Sequence, residues 1–165
     1  EEMRSHPICI KEMASLPTPY GPDELVRALK EGTKLPIDLH THYTSGVASM
    51  TYLKAVEAGC EIIFMTPNMM NMYTSRFLAE GRCREAAERL GEIQRSGIMD
   101  IYMDTARKTC EEYSIKVCDC YKKWKLMAEN GVDTTALLSN YINHPTREMC
   151  WLFAYSLVEA MMQEF

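Results

Sequence analysis

Cys60-Glu61-Ile62-Ile63-Phe64-Met65-Thr66 is a short, nearly continuous apolar run that ends at Pro67 and Asn68. Three other runs have the same character: Ile8-Cys9-Ile10, Pro36 to His40, and Ile115 to Asp119. None shows the strict in–out alternation of a strand with one wet face. Continuous runs of this length suit strands buried on both faces of a parallel sheet. Helical patterns separate them. Pro22, Asp23 and Glu24 open one, because proline fits the first turn and acids meet the positive end of the dipole. Leu25 and Leu29 then share a face. A second helix is expected over Val47 to Ala58, with Gly59 at the left-handed position after it. A third runs from Gly97 to Tyr113, with Ile101 and Ala106 among its apolar residues. In the last, Met149, Leu152, Phe153, Leu157, Ala160 and Met161 form a stripe at three- and four-residue spacing.

The order β-α-β-α-β, a longer helical stretch, then β-α and a final helix predicts a doubly wound α/β domain. The expected architecture is three-layer, with a mainly parallel sheet of four or five strands and helices on both faces. A full (β/α)8 barrel takes about 200 residues or more, so 165 residues exclude one. The predicted strands are Ile8–Ile10, Pro36–His40, Cys60–Thr66 and Ile115–Asp119, in a single domain over residues 1–165. Asn68 to Ser96 is the least regular part, because Gly81 and Gly91 interrupt its helical pattern.

Apolar residues make up 47% of the chain and charged ones 25%, the balance of an ordinary globular protein. No window approaches the roughly 18 uninterrupted apolar residues of a membrane span, so no membrane partner is expected. Net charge is −5. The one basic cluster, Lys122, Lys123 and Lys125 beside Trp124, reads as a solvated helix face, and no nucleic-acid partner is expected. Glu1 to Arg4 is charged with no apolar region behind it, which argues against a secretory signal, and the leading Glu1 suggests a trimmed fragment. Seven scattered cysteines do not make a disulfide framework. Cys118 and Cys120 flank Asp119 without a second pair to complete a zinc site. Free buried thiols in a reducing, cytoplasmic setting are expected.

Chemistry enters at Leu35 to Gly46, Leu-Pro-Ile-Asp-Leu-His-Thr-His-Tyr-Thr-Ser-Gly. His40 and His42 lie two apart at a strand end. Side chains two apart on a strand point the same way, so both imidazoles can converge on one divalent ion. The same spacing also fits two histidines satisfied by backbone groups.

The segment around them resembles the carboxyltransferase domain of biotin-dependent enzymes, the family that includes pyruvate carboxylase and the oxaloacetate decarboxylase alpha chain. The resemblance covers about residues 5–63. It runs through Ile8-Cys9-Ile10-Lys11-Glu12-Met13-Ala14, Thr18-Pro19-Tyr20, and Pro36 to Gly59, including Ala48-Ser49-Met50-Thr51-Tyr52-Leu53-Lys54-Ala55. It implies that His40 and His42 bind a divalent metal, zinc or manganese, and that Lys11 is a carbamylated third ligand. It implies carboxyl transfer between biotin and a small-molecule 2-oxo acid such as pyruvate or oxaloacetate. Glu12 stands where the family usually has Asp, and Ser15 where it usually has Gly. The family's aspartate ligand and catalytic threonine have no counterpart here.

From residue 64 the neighbours change. Phe64 to Asn71, Val117 to Trp124, Gly131-Val132-Asp133-Thr134-Thr135, and above all Asn140-Tyr141-Ile142-Asn143-His144-Pro145 resemble the C-terminal part of an SGNH (GDSL-type) hydrolase, over about residues 62–165. That resemblance implies an open, flavodoxin-like sheet and makes His144 the base of a serine esterase. The Gly-Asp-Ser nucleophile motif is absent, and the acid three before the histidine falls on Tyr141, leaving Asn140 or Asn143 as a weak substitute. The sequence thus reads as a carboxyltransferase-like βαβα segment, 1–63, joined to a hydrolase-like segment, 64–165. Neither segment has a complete site, so a chimeric or truncated protein without native activity is expected. The alternatives are a metal-dependent carboxyltransferase or decarboxylase, and a serine ester hydrolase.

Overall fold

The computed structural model describes the backbone of residues 8–12, 20–35, 37–41, 56, 59 and 61–162, and the side chains of these except 9–12, 20–23 and 38–41. The chain divides into two compact units, Glu1–Ile62 and Ile63–Phe165.

The first unit contains a β-α-β element. β1 (Ile8–Glu12) and β2 (Ile37–Thr41) pair in parallel, with α1 (Tyr20–Gly32) between them in sequence. A parallel pair needs such a crossover, because a tight turn can only return the chain antiparallel. Val26 is the fully buried residue of α1 and Leu29 is half-buried, while Leu25 is exposed. The packed face therefore runs through Val26 and Leu29, not Leu25 and Leu29. Lys30 Nζ donates to the Gly59 carbonyl at 2.8 Å. Gly59 has φ +80°, the left-handed conformation expected where a helix ends. The helix predicted over Val47–Ala58 lies outside the described residues except for Val56, which is helical.

The second unit opens with β3 (Ile63–Met65), which pairs in parallel with β4 (Lys116–Cys118). The Thr66 amide still bonds the Cys118 carbonyl at 3.0 Å. Pro67 has no N–H to give, so the ladder stops there. The crossover from β3 to β4 carries α2 (Arg82–Arg95) and α3 (Ile98–Glu112); α4 (Cys120–Glu129) and α5 (Cys150–Met162) follow. Met69, Tyr121, Trp124 and Leu138 form the core, joined by Met99 and Met103 of α3 and by Leu152 and Phe153 of α5. Cys118, Cys120 and Ala160 make a second cluster. Gln94 ties the parts together. Its Nε2 donates to Tyr121 Oη at 2.7 Å, and its Oε1 accepts from the Met70 amide at 2.9 Å.

All four predicted strands form and every described ladder is parallel, so the α/β class holds, and the described residues contain no barrel. The expected four- or five-stranded sheet in three layers does not form among the described residues. They contain two sheets of two strands each, one per unit. Of the described residues in the Cys60–Thr66 run, Ile63–Met65 form the strand and Ile62 is exposed. Gly81 and Gly91 do not break the chain into loop. Gly81 has φ +101° and caps α2, and Gly91 lies buried within that helix. A side chain at 91 would come within 3.0 Å of the buried Asn71 amide. On α3 the inward residues are Met99, Met103 and Cys110, while Ile101 points outward. No helix among the described residues is long and apolar enough to cross a membrane.

Candidate functional site

The β1–β2 register sets Lys11 opposite His40 and Glu12 opposite Thr41. Neighbouring strands run about 4.8 Å apart, so the fold brings these two predicted ligands to adjacent backbone positions across nearly thirty residues of sequence. Their side chains, and His42 entirely, lie outside the described residues. Among the described residues no group of three His, Cys, Asp or Glu side chains converges as a metal site.

His144 sits in a tight exposed loop. Leu138 and Pro145 form an antiparallel bridge, and the Ser139 amide donates to the His144 carbonyl at 2.8 Å. Asn140 organises the interior of the loop. Its Oδ1 accepts from the backbone amides of Ile142, Asn143 and His144, each at 3.0 Å. That fixes the amide, and its Nδ2 donates to Asn143 Oδ1 at 3.0 Å. His144 Nδ1 lies 2.7 Å from Asn143 Oδ1 and 3.0 Å from Asn140 Nδ2. With the proton on Nδ1, Asn143 Oδ1 accepts it and Nε2 is left as the basic nitrogen; with the proton on Nε2, Nδ1 accepts from Asn140 Nδ2. Tyr141, where an orienting acid would fall, has φ +53° and packs its ring on Phe77, 5.6 Å between centroids.

This loop docks on the segment leaving β3. The Asn71 amide donates to the Ile142 carbonyl at 2.8 Å, and Asn68 Nδ2 to the Asn143 carbonyl at 3.0 Å. His144 therefore stands near the carboxyl end of a parallel strand, where open α/β sheets keep their clefts. Among the described residues no serine is presented to it. Ser139 Oγ donates to the carbonyl of His144 itself at 3.2 Å. Ser75 is buried, and its Oγ accepts from the Phe77 amide at 3.3 Å. Ser45 lies outside the described residues.

A charged network just past β4 was missed by the reading of motifs. Asp119 accepts from Arg107 Nε at 2.7 Å, Arg107 Nη2 at 3.1 Å, Thr66 Oγ1 at 3.0 Å and the Lys122 amide at 3.1 Å. Thr66 and Asp119 each directly follow a strand, so the parallel pairing brings them side by side. Burial pushes the Asp119 carboxyl up, but the bonds from Arg107, Lys122 and Thr66 outweigh it and hold it below the ordinary carboxylate value. The hydrogen bonds that Arg107 donates to Asp119 likewise raise the Arg107 guanidinium. Asp119 and Arg107 line an open groove of about 430 Å³ with Asp100, Asp104, Lys122 and Lys125. Lys125 pairs with Asp100 at 2.7 Å, and Lys123 with Glu159 and Ser156. Two of the three clustered lysines are thus held by acids. The groove's charges serve each other. The one signal that could have found it was an acid between a strand and a helix start, Cys118-Asp119-Cys120.

The expected buried thiols are buried at Cys110, Cys118 and Cys120 but exposed at Cys83 and Cys150. Burial pushes the Cys120 thiol up to about 12. Its sulfur lies 3.8 Å from that of Cys118.

Comparison with known proteins gives relatives of one kind. The chain is 53% identical over 76 residues to a pyruvate carboxylase subunit of Methanocaldococcus jannaschii, covering 46% of this chain and 13% of that protein. It is 38% identical over 117 residues to pyruvate carboxylase of Bacillus subtilis, covering 68% and 10%. It is 33% identical over 73 residues to the methylmalonyl-CoA carboxyltransferase 5S subunit of Propionibacterium freudenreichii, covering 43% and 14%. The chain thus spans between 10% and 14% of the length of these relatives. They support the carboxyltransferase resemblance of the first segment and give none to a hydrolase segment. A match over 68% of the chain is longer than the whole first unit, so the similarity does not end at Ile63 as expected. No family profile and no solved structure matches the chain.

Proposed function

We propose that the first unit is a carboxyltransferase-type fragment whose Lys11, His40 and His42 hold a divalent cation, zinc or manganese. The observation that carries this is the β1–β2 register, which sets Lys11 beside His40, on a segment whose relatives are pyruvate carboxylases and a carboxyltransferase subunit. Two neutral imidazoles and a carbamylated lysine form a suitable oxygen and nitrogen donor set. When bound, the metal supplies Lewis acidity toward the keto oxygen of a 2-oxo acid such as pyruvate or oxaloacetate. The protein's own part is to keep both imidazoles neutral and to lower the proton affinity of Lys11 enough for it to take up carbon dioxide.

For the chain as a whole we propose a truncated or chimeric protein with no turnover of its own. The aspartate ligand and catalytic threonine that the resemblance calls for have no counterpart among these 165 residues, which supports this. Metal analysis after dialysis against zinc or manganese tests the site. About one equivalent is expected for the wild type, and none for His40→Ala. Equal uptake by the two proteins refutes the assignment. Oxaloacetate decarboxylation no faster than with free metal is expected, and a rate that His40→Ala abolishes would refute the inactive reading.

A second reading, for the other unit, is serine ester hydrolysis with His144 as base and a small-molecule ester as substrate. The Asn143–His144 contact favours it, because in the tautomer protonated at Nδ1 it leaves Nε2 free. The serine hydroxyls stand against it: Ser139 is spent on a backbone carbonyl, and Ser75 is buried. General base catalysis contributes roughly 100- to 10,000-fold and only with a nucleophile in reach. Hydrolysis of a short p-nitrophenyl ester is expected at background, equal in wild type and His144→Ala. Turnover lost in the variant would make the hydrolase reading correct.

A further inference from the structure

α5 is apolar on two faces, and within the second unit the core takes up one of them. Leu152, Phe153, Ala160 and the half-buried Leu157 face the two core clusters, with Ser156 buried among them. On the other side Trp151 is 62% exposed, Tyr155 70%, Val158 56% and Met162 79%, with Met161 beside them at 54%. Their spacing of four, three and four residues places Trp151, Tyr155, Val158 and Met162 in one straight stripe. The Trp151 and Tyr155 rings already lean on each other, 5.8 Å between centroids. A contiguous apolar patch of this size lies at the upper end of what a monomer exposes, where the largest patch is often an interaction site.

We propose that this stripe is a homodimer interface, occupied by the same helix of a second copy of the chain. Three observations favour that occupant. The first is area. An aromatic side chain buries roughly 150–250 Å², so the exposed parts of Trp151 and Tyr155 still present on the order of 250 Å². Val158, Met161 and Met162 add on the order of 300 Å² at these exposures. Doubled by twofold symmetry, the loss reaches about 1,100 Å², just under the roughly 1,200–2,000 Å² of a standard specific interface. That fits a reversible dimer in the micromolar range. The second is charge. An isologous contact sets a surface against itself, so any charge on it meets its own sign. The only charged residue of α5 is Glu159, which is paired with Lys123. The third is chemistry. A lipid surface calls for Lys or Arg on the helix, and α5 has neither. Antiparallel helices crossing between Tyr155 and Val158 lay each Trp151 over the far end of the other helix, where the methionines sit. Methionine sulfur against an aromatic ring is a favourable and adaptable contact.

Sedimentation equilibrium of the whole chain tests the interface, alongside Tyr155→Glu and Val158→Arg. Both residues are exposed, so the variants are expected to keep the wild-type far-ultraviolet dichroism. The wild type is expected to dimerise reversibly, and each variant to weaken the dimer at least about tenfold, the cost of a buried unpaired charge at such a site. Val158→Arg stands in if Tyr155→Glu fails to fold. A wild-type monomer at about 0.5 mM overturns the proposal, as does a dimer insensitive to both changes. A monomer in which Trp151 resists acrylamide quenching also overturns it, because the face is then covered by the chain itself. That signal is read as the difference between wild type and Trp151→Phe.

Discussion

Replacing Asp119 separates three contributions that the structure stacks on one carboxylate. As N-cap of α4 it accepts the Lys122 amide, from the loop it accepts Thr66 Oγ1, and from α3 it takes two bonds from Arg107. Losing an N-cap costs about 1 kcal/mol. Thr66 is fully buried, and its hydroxyl also accepts the Tyr121 amide at 2.8 Å. Stripped of its acceptor, that hydroxyl leaves a buried donor unmet, at about 1 kcal/mol or more. The Arg107 pair is partly exposed, with side chains 28% and 21% accessible, so solvent screening holds it to about 1 kcal/mol. Asp119→Ala is therefore expected to cost on the order of 3 kcal/mol. Asp119→Asn keeps the cap and the Thr66 acceptor and is expected to cost about 1 kcal/mol. Urea unfolding followed by tryptophan fluorescence reads this unit alone, since both tryptophans, Trp124 and Trp151, lie in it. The charge contribution also has a pH signature. The folded carboxyl lies below its reference of 3.8. Its stabilisation is thus complete above that value and fades as pH falls through the folded one. The gap between wild type and Asp119→Asn is expected to close in the same range. Equal stability of the Ala and Asn variants, or a gap that widens in acid, would refute this division.

Two further outcomes follow from packing. Gly91→Ala should destabilise by about 1 kcal/mol, although alanine is the better helix former by nearly that amount, because the added carbon presses on Asn71. Asn71 cannot retreat: its Nδ2 is bonded to the Ala87 and Tyr73 carbonyls at 2.8 and 3.0 Å. A stabilised variant in urea unfolding would show that Asn71 yields. N-ethylmaleimide at pH 7.5 with peptide mapping should label Cys83 and Cys150 rapidly and spare Cys118 and Cys120 until unfolding, because burial keeps those two thiols protonated. Rapid labelling of Cys120 in the folded protein would contradict that.

The particular elements show what was legible. Each of the four strands announced itself locally, as a run of apolar residues a few positions long, and Pro67 marked where β3 stops. His40 and His42 were expected from spacing and resemblance and Lys11 from resemblance alone; the parallel register of β1 and β2 sets the backbones of Lys11 and His40 opposite each other, and their side chains lie outside the described residues. The loop histidine His144 was legible as a candidate, and so were Asn140 and Asn143 as the residues that could orient it. How they divide the work was not: the loop closes three amides onto the Asn140 oxygen and leaves Asn143 Oδ1 2.7 Å from His144 Nδ1. The Asp119–Arg107–Thr66 network was hidden because its members are 12 and 53 residues apart. Gly91 misled because the reason for it, Asn71, sits on another segment.

Local sequence was therefore enough for the inventory of elements and their direction. Hydrophobic runs, helix starts and glycine stops act over a few residues and need no tertiary partner. How those elements pair became visible only in the folded chain: among the described residues, two sheets of two strands rather than one of four, and Val26 rather than Leu25 buried. Folding alone set which apolar face of α5 meets the core and which is left bare. Each depends on a balance between burial and the length of ladder a strand can offer, and that balance is struck between residues far apart in the chain.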